Sequence, residues 1–263
     1  MKLNILTFGA HPDDVELGCS GTILKHISLG KKVGIIDLTK GELGTRGTAA
    51  IRAQEAKIAA KILGVAIREN LSMADGFFIN DKEHQIKVIQ KIRQYQPDVV
   101  IANALTDRHP DHGRGAQLVS HACFLSGLPK IKTQTPSNSQ KGGELAYTNS
   151  SSEFIPTKEG GRFRGVWQKA WRPKAVYHYI QYNPHKPDFV VDISKQFEKK
   201  MEAIAAFGSQ FYNPDSKEAE TLISSPEFLR LVKKRGEEHG KQIGVRYGEG
   251  FLFGTLHWKE ALI

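Results

Sequence analysis

The amino-acid sequence predicts a three-layer α/β architecture: a Rossmann-like, doubly wound, mostly parallel sheet with helices on both faces. Three observations carry this expectation. Short apolar runs alternate with segments of helical periodicity through the first half of the chain. Successive runs are separated by enough residues for a helical crossover, which implies parallel pairing with right-handed connections. The chain has 263 residues, 40% of them apolar, which suits one sizeable core.

The elements follow in order. Leu3 to Ala10 is an apolar run and the first strand. After it, DDVELGCSGTILKHISLG sets Leu17, Ile23, Leu24 and Ile27 at near-helical spacing and stops at Gly30. Lys32 to Leu38 is the second strand, followed by a glycine-rich segment, TKGELGTRG. Thr48 to Leu63 is an alanine-rich helix ended by Gly64, with Ile51, Ala56, Ala59, Ile62 and Leu63 supplying apolar contacts. Val65 to Leu71 is a weaker strand, and Asp81 to Tyr95 a helix with apolar Ile86, Ile89 and Ile92. Pro97 stops that helix, and DVVIANA gives the fourth strand. A helix near His112 to Leu125 closes the alternation. Residues 129–165 are polar and irregular, expected to be a long loop or excursion near the site. Strand signals return at 175–181 and 188–193, then helices from Ser194 to Phe207 and from Pro226 to His239. Without a solenoid repeat or a separating linker, 1–263 is expected to be a single domain.

Composition narrows the function classes. Two cysteines, Cys19 and Cys123, exclude a disulfide framework and a four-thiolate zinc knot. No apolar run approaches the length of a membrane span, and the start MKLNILTFGAHPDD lacks a signal-peptide layout. A soluble, cytoplasmic protein without membrane insertion is expected. Lys plus Arg number 37 against 28 Asp plus Glu, a net +9, which favours an anionic partner. A nucleic acid is not expected, because helix-turn-helix spacing, zinc-finger patterns and aromatic RNA-binding strands are all missing. The turn after strand one is AHPDDVELG, whose acids would repel a pyrophosphate, and neither a Walker A motif nor G-x-S-x-G occurs.

A repeated tetrapeptide carries the chemistry. His11-Pro12-Asp13-Asp14 follows strand one, and His109-Pro110-Asp111-His112 follows strand four. Each sets two metal-capable residues three apart at a strand-to-helix junction, on one face of the starting turn. Proline is tolerated there because its missing N–H has no partner anyway. In a sheet ordered 3-2-1-4, strands one and four are neighbours and a crevice opens at their carboxyl ends, so the two motifs meet. Imidazole and carboxylate donors suit zinc, and three ligands plus a water make a catalytic site. His11, Asp13, Asp14, His109, Asp111 and His112 exceed that need, leaving groups for a base and for an oxyanion-side donor. Spacing alone leaves the allotment open, although one ligand and one base is the economical split of Asp13 and Asp14. A single such segment could equally cap a helix; two at strand ends favour the metal.

These blocks also carry a family resemblance. FGAHPDDVELGCSGT (8–22), DLTKGELGTRGT (37–48), Arg52 and Glu55 as R-x-x-E, and RHPDHGR (108–114) resemble the zinc-dependent N-acetylglucosaminyl deacetylases. That group includes the glycosylphosphatidylinositol-precursor, mycothiol and bacillithiol pathway de-N-acetylases. DFVVDIS (188–194), GSQF (208–211) and GVRYGEGF (244–251) look similar too, and the bacillithiol branch, acting on N-acetylglucosaminyl malate, is the nearest likeness. The resemblance implies Zn2+ held by His11, Asp14 and His112, and Asp13 as general base toward the attacking water. It implies His109 as a protonated imidazole at the oxyanion or leaving amine, with Asp111 orienting it. Arg52 and Arg108 match substrate contacts, and Arg46 is either a further contact or a solvated loop cation. The implied substrate is a small, anionic N-acetylated amino sugar, cleaved to acetate and a free amine by a homo-oligomer, a hexamer built from trimers. The same residues also allow a deacetylase of N-acetylglucosamine or short chito-oligosaccharides, a sugar–thiol conjugate amidase, or a zinc-binding protein without turnover.

The remaining features read blandly. Cys19 is expected to pack, and His26 and His121 to be ordinary surface or packed imidazoles. Tyr177, His178 and Tyr179 alternate like a strand, with His178 a further pocket candidate. Lys199-Lys200 and Lys233-Lys234-Arg235 read as solvated helix faces. The tail FLFGTLHWKEALI, with Phe251, Leu252, Phe253, Leu256 and Trp258, is expected to pack on its own domain or across an interface.

Overall fold

The structure, a computed structural model, describes residues 1–136, 154–156 and 162–254. Its elements in chain order are β1 (Ile5–Gly9), α1 (Asp14–Ser28), β2 (Val33–Thr39), α2 (Ala49–Leu63), β3 (Ile67–Met73), α3 (Lys82–Tyr95), β4 (Val99–Asn103) and α4 (Pro110–Ser126). They continue with β5 (Gln134–Pro136), β6 (Phe154–Pro156), β7 (Arg162–Trp167), β8 (Ala175–Tyr179), β9 (Phe189–Asp192), α5 (Phe197–Ala205), α6 (Pro226–Gln242) and β10 (Gly248–Phe253).

The main sheet runs β3-β2-β1-β4-β8-β10-β9. Its first five strands are parallel, and β10 pairs antiparallel with both β8 and β9. The expected 3-2-1-4 order is therefore present, with a mixed edge beyond it. Every residue of β1 and β2 is buried, as strands covered on both faces must be. Alternation splits them between two cores. Leu6, Phe8, Ile36 and Leu38 pack with Val88, Ile89 and Ile92 of α3 and Leu118, Val119 and Ala122 of α4. Ile5 and Ile35 pack on the opposite face with Val15 and Ile23 of α1, Leu63 of α2 and Ala203 of α5. Side chains from α2, α5 and α6 form a further cluster around Phe207, Phe211 and Phe228.

Helix ends are set locally. Thr48, Asp81 and Ser225 cap α2, α3 and α6 by accepting from Ile51, His84 and Phe228 N–H groups. Gly64 closes α2 in the left-handed conformation.

Three expectations change. β10 is a strand that the glycine-rich YGEGF hides, because glycine reads as a turn; here Gly250 lets the sheet pass His239, whose ring a Cβ would meet at 2.7 Å. Lys200 is no solvated cation: it is 3% exposed, while Lys233 and Lys234 are exposed and Arg235 is half-buried. His178 does not line the crevice; it is fully buried, with Nδ1 2.6 Å from the Asn103 carbonyl oxygen. Within the polar excursion at 129–165, β5, β7 and β6 pair as a small antiparallel sheet, and residues 137–153 and 157–161 lie outside the described residues. In the tail Phe251 is buried and Phe253 half exposed, whereas Leu256 and Trp258 lie outside the described residues. Cys19 and Cys123 are both buried, as packing residues are.

Candidate active site

The two tetrapeptides meet where the sheet order reverses. β1 and β4 are neighbours, and their carboxyl ends lead into the starts of α1 and α4. A cleft of about 420 Å3 opens there, lined by His11, Asp13, Asp14, His109 and His112.

Asp14 is the hub. Its Oδ2 accepts from the His11 backbone N–H at 2.9 Å and from Asn103 Nδ2 at 3.1 Å, and its Oδ1 accepts from Gln181 Nε2 at 2.7 Å. His112 Nε2 lies 3.1 Å from Oδ1, and His11 Nδ1 lies 3.5 Å from Oδ2. The other nitrogen of each imidazole is held from behind. His112 Nδ1 is 2.8 Å from Asp107, and His11 Nε2 is 2.9 Å from Asp75 and 3.4 Å from Asp111. Outer carboxylates that fix the tautomer and aim the free nitrogen inward are the usual surroundings of metal-binding histidines. The three imidazoles of His11, His109 and His112 are also close enough to share one ion, as are His11, Asp75 and Asp111. A His/Asp cluster able to coordinate a divalent metal is therefore present.

The charges are strongly coupled. Burial would raise the Asp14 carboxyl, but His112 and His11 overcome it and hold it well below the usual range. Burial would lower His112, yet Asp14 and Asp107 raise it to about 9. Asp75 is pulled down to about 2 against burial, through its bonds from His11 and the Leu43 N–H. Asp13 goes the other way: burial pushes its carboxyl up to about 7, with Arg52 opposing and Asp14 adding. His109 is lowered, first by burial and then by His11 and His112.

Asp13 caps α1 with φ at +123°, a conformation that strains any residue but glycine. Arg52 of α2 holds it, donating from Nη2 to Asp13 Oδ2 at 2.6 Å and to the Pro12 carbonyl at 2.7 Å. Arg52 lines the cleft; its Nη2 bonds go to this loop, its Nη1 donates to the Gly41 carbonyl at 3.4 Å, and its Nε makes no hydrogen bond among the described residues. The glycine-rich segment makes room for it: Gly41 has φ +64°, and a Cβ there would sit 2.1 Å from Arg52 Nη1. Arg46 is not a solvated cation. It is 4% exposed, donates from Nη2 to Ser216 Oγ at 2.6 Å, and has a buried Nε that makes no hydrogen bond among the described residues but lies 3.7 Å from Glu218 Oε2. Arg108 is exposed at the rim, stacked 4.7 Å over the Tyr182 ring. Asp111 is fully buried, and its carboxylate turns to the Gly76 N–H, Arg114 and His11. It reaches His109 through its backbone N–H, which donates to His109 Nδ1 at 3.2 Å.

Sequence reading missed Asp75, Asn103, Asp107 and Gln181. One signal could have found them: each follows or ends a strand at its carboxyl edge, β3, β4 or β8, where such sheets build their sites.

Residues 6–123 match the family model described as PIG-L: GlcNAc-PI de-N-acetylase. An uncharacterized deacetylase, YaiS, of Escherichia coli K12 is 36% identical over 165 residues, which is 60% of this chain and 87% of that protein. The diacetylchitobiose deacetylase of Thermococcus kodakarensis is 27% identical over 259 residues, covering 95% of this chain and 82% of the relative. Among solved structures, the N,N'-diacetylchitobiose deacetylase of Pyrococcus horikoshii superposes with a TM-score of 0.72 at 27% identity, covering 98% of this chain and 88% of the other. The match to YaiS spans most of that deacetylase, and the family model covers both tetrapeptides that build the cleft. On that shared sequence the chain belongs to the PIG-L family of de-N-acetylases, and it is an N-deacetylase, a hydrolase of a carbon–nitrogen bond.

Proposed function

We propose that this protein is a zinc-dependent hydrolase that removes the N-acetyl group of an N-acetylglucosaminyl conjugate carrying an acidic aglycone, with N-acetylglucosaminyl malate as the substrate that fits best. The donor set supports zinc: His11 Nδ1, His112 Nε2 and an Asp14 oxygen converge, each imidazole backed by a carboxylate. When bound there, zinc supplies Lewis acidity toward the amide carbonyl and lowers the pKa of water. Asp13, near neutrality in its buried position, takes the proton of the attacking water and can return it to the departing nitrogen. His109 receives the Asp111 N–H at Nδ1, so its own hydrogen sits on Nε2. Together with its lowered pKa, this supports a neutral imidazole donor to the oxyanion in preference to an imidazolium. The water oxygen bonds to the acetyl carbon as the C–N bond breaks, giving acetate and an amine.

The observation that carries the acidic aglycone is Arg46, a buried guanidinium on the cleft wall whose Nε makes no hydrogen bond among the described residues and has only the half-exposed Glu218 carboxylate, 3.7 Å away, as an ion-pair partner. A substrate carboxylate at hydrogen-bond distance would take the place of Glu218 on that nitrogen, and Arg108 adds a second cation at the rim. The rival reading is diacetylchitobiose, favoured by the names of the Thermococcus and Pyrococcus relatives. Amine and acetate release from the malate conjugate and from diacetylchitobiose, each with and without chelator, decides between them. Preference for the malate conjugate, with Arg46→Met raising KM for it alone, supports the proposal. Preference for diacetylchitobiose, or equal KM effects on both, refutes the acidic aglycone.

A further inference from the structure

Helix α1 is two helical pieces. At Cys19 the backbone leaves helical geometry (φ −148°, ψ 17°), deep inside the protein. The break orphans carbonyls at the end of the first piece and N–H groups at the start of the second, and buried orphans must find partners. One buried ion pair supplies partners for two carbonyls and two N–H groups. Lys200 of α5 donates to the carbonyls of Glu16 at 3.1 Å and Leu17 at 2.9 Å, and to Glu249 Oε1 at 2.7 Å. Glu249 of β10 accepts from the N–H groups of Gly21 at 2.9 Å and Thr22 at 2.7 Å, and from Thr22 Oγ1 at 2.6 Å. Ser20 Oγ adds a bond to the Glu16 carbonyl. The cation thus closes the end of one piece and the anion opens the next, with the two side chains 3% and 4% exposed.

We propose that Lys200 and Glu249 are positioning residues for the active site: they hold α1 open at Cys19 and so set the direction of its first turn, which begins at Asp13 and carries Asp14. A buried ion pair is a weak source of stability, whereas both of these charges face helix ends in the break. The first turn serves a different master from the rest of α1. Asp14 must reach His11 and His112, while Ile23 and Leu24 pack in the core and Gly21 passes against Ile193. A continuous helix would tie these directions together; the break frees them. The Glu16 side chain, bonded to Arg68 of β3, pins the first piece from its other side. Neither Lys200 nor Glu249 lines the cleft, so both act through the backbone.

The inference rests on Asp13 and Asp14 acting as base and ligand. The test uses full-length Lys200→Met and the milder Glu249→Gln. Zinc affinity is measured by chelator competition, backbone amide exchange by mass spectrometry, and kcat and KM on whichever N-acetylglucosaminyl substrate the wild type turns over. Both variants are expected to stay folded at 25 °C, with zinc affinity and kcat each falling about tenfold or more, the scale of lost support behind a metal ligand. KM stays nearly unchanged, and amides in the first turn of α1 exchange faster while those of β2 do not. A lowered Tm with unchanged zinc affinity, kcat and first-turn exchange overturns the proposal and leaves a purely structural pin. If the wild type turns over no such substrate, the deacetylase reading fails separately, and zinc affinity with amide exchange still decides this one. If Lys200→Met does not fold, Glu249→Gln alone decides.

Discussion

Replacing Asp107 with asparagine isolates the support behind one histidine. The side chain is 1% exposed, and its two oxygens have separate duties. Oδ2 lies 2.8 Å from His112 Nδ1, while Oδ1 accepts from the backbone N–H groups of Arg108 and Asn183, each at 2.8 Å. An amide has one acceptor oxygen. If it stays with the backbone donors, the –NH2 faces His112 Nδ1 and drives the imidazole proton onto Nε2, the nitrogen that faces Asp14. If it turns to His112, the –NH2 opposes two N–H groups. Either outcome weakens His112 toward a metal. Outer partners of ligating histidines contribute about 10–100-fold in affinity, or about 1.4–2.7 kcal/mol. Asp75→Asn is the internal comparison, since Asp75 likewise divides its oxygens between His11 Nε2 and the Leu43 N–H. There Asp111 Oδ2, 3.4 Å from the same nitrogen, can keep the tautomer. Asp107→Asn is therefore expected near the top of that range and Asp75→Asn below about tenfold. Zinc competition against a fluorescent chelator at near-neutral pH reads both. An Asp107→Asn affinity within about twofold of wild type, or a larger loss at Asp75, refutes the tautomer argument.

Asp13→Asn should retain zinc but lose about 10²–10⁴ in kcat, whereas His11→Ala should lose the metal; equal zinc loss in the two would overturn the division between Asp13 and Asp14. Gly41→Ala places a Cβ 2.1 Å from Arg52 Nη1 and should move Arg52 off Asp13, lowering kcat while metal content stays at the wild-type level; an unchanged kcat would show that Arg52 can hold Asp13 from elsewhere. His239 sets a pH dependence of stability. Burial lowers its pKa, so the unfolded chain, titrating near 6.5, takes up the proton first. Its contribution is complete above about pH 6.5 and is lost as pH falls through and below that value, at up to about 1.4 kcal/mol per unit. Urea melts of wild type and His239→Phe should diverge in slope on acidification, and parallel curves would contradict this.

How legible this was in the sequence depended on the range of the interaction. β1 to β4 follow from local periodicity and their parallel pairing from crossover length, their order comes from analogy with doubly wound sheets, and the two tetrapeptides name the cleft because strand ends bring them together. β10 stayed hidden because Gly248 and Gly250 suit a close approach to α6, a contact made only after folding. Lys200 was misread for a related reason. A Lys-Lys pair on an amphipathic helix looks solvated until Glu249, 49 residues later, returns on a strand beside it. Asp75 and Asp107 sit outside both motifs, and only the sheet's geometry reveals that they stand behind His11 and His112.

The same distinction changes the meaning of Arg52. Resemblance points it at substrate, and it lines the cleft; its guanidinium also closes the loop that carries Asp13, bonding the Pro12 carbonyl and Asp13 Oδ2 at once. A non-glycine residue at φ +123° stores about 1–3 kcal/mol of strain, which persists because something else fixes it. The planar fork of arginine suits that task better than the single point charge of lysine. The glycines after β2 then find a physical reason that a phosphate-binding loop would not provide. Gly41 is small because Arg52 passes against it, and Arg52 passes there because it holds Asp13, buried and with its carboxyl pushed up to about 7, beside Asp14 and His11.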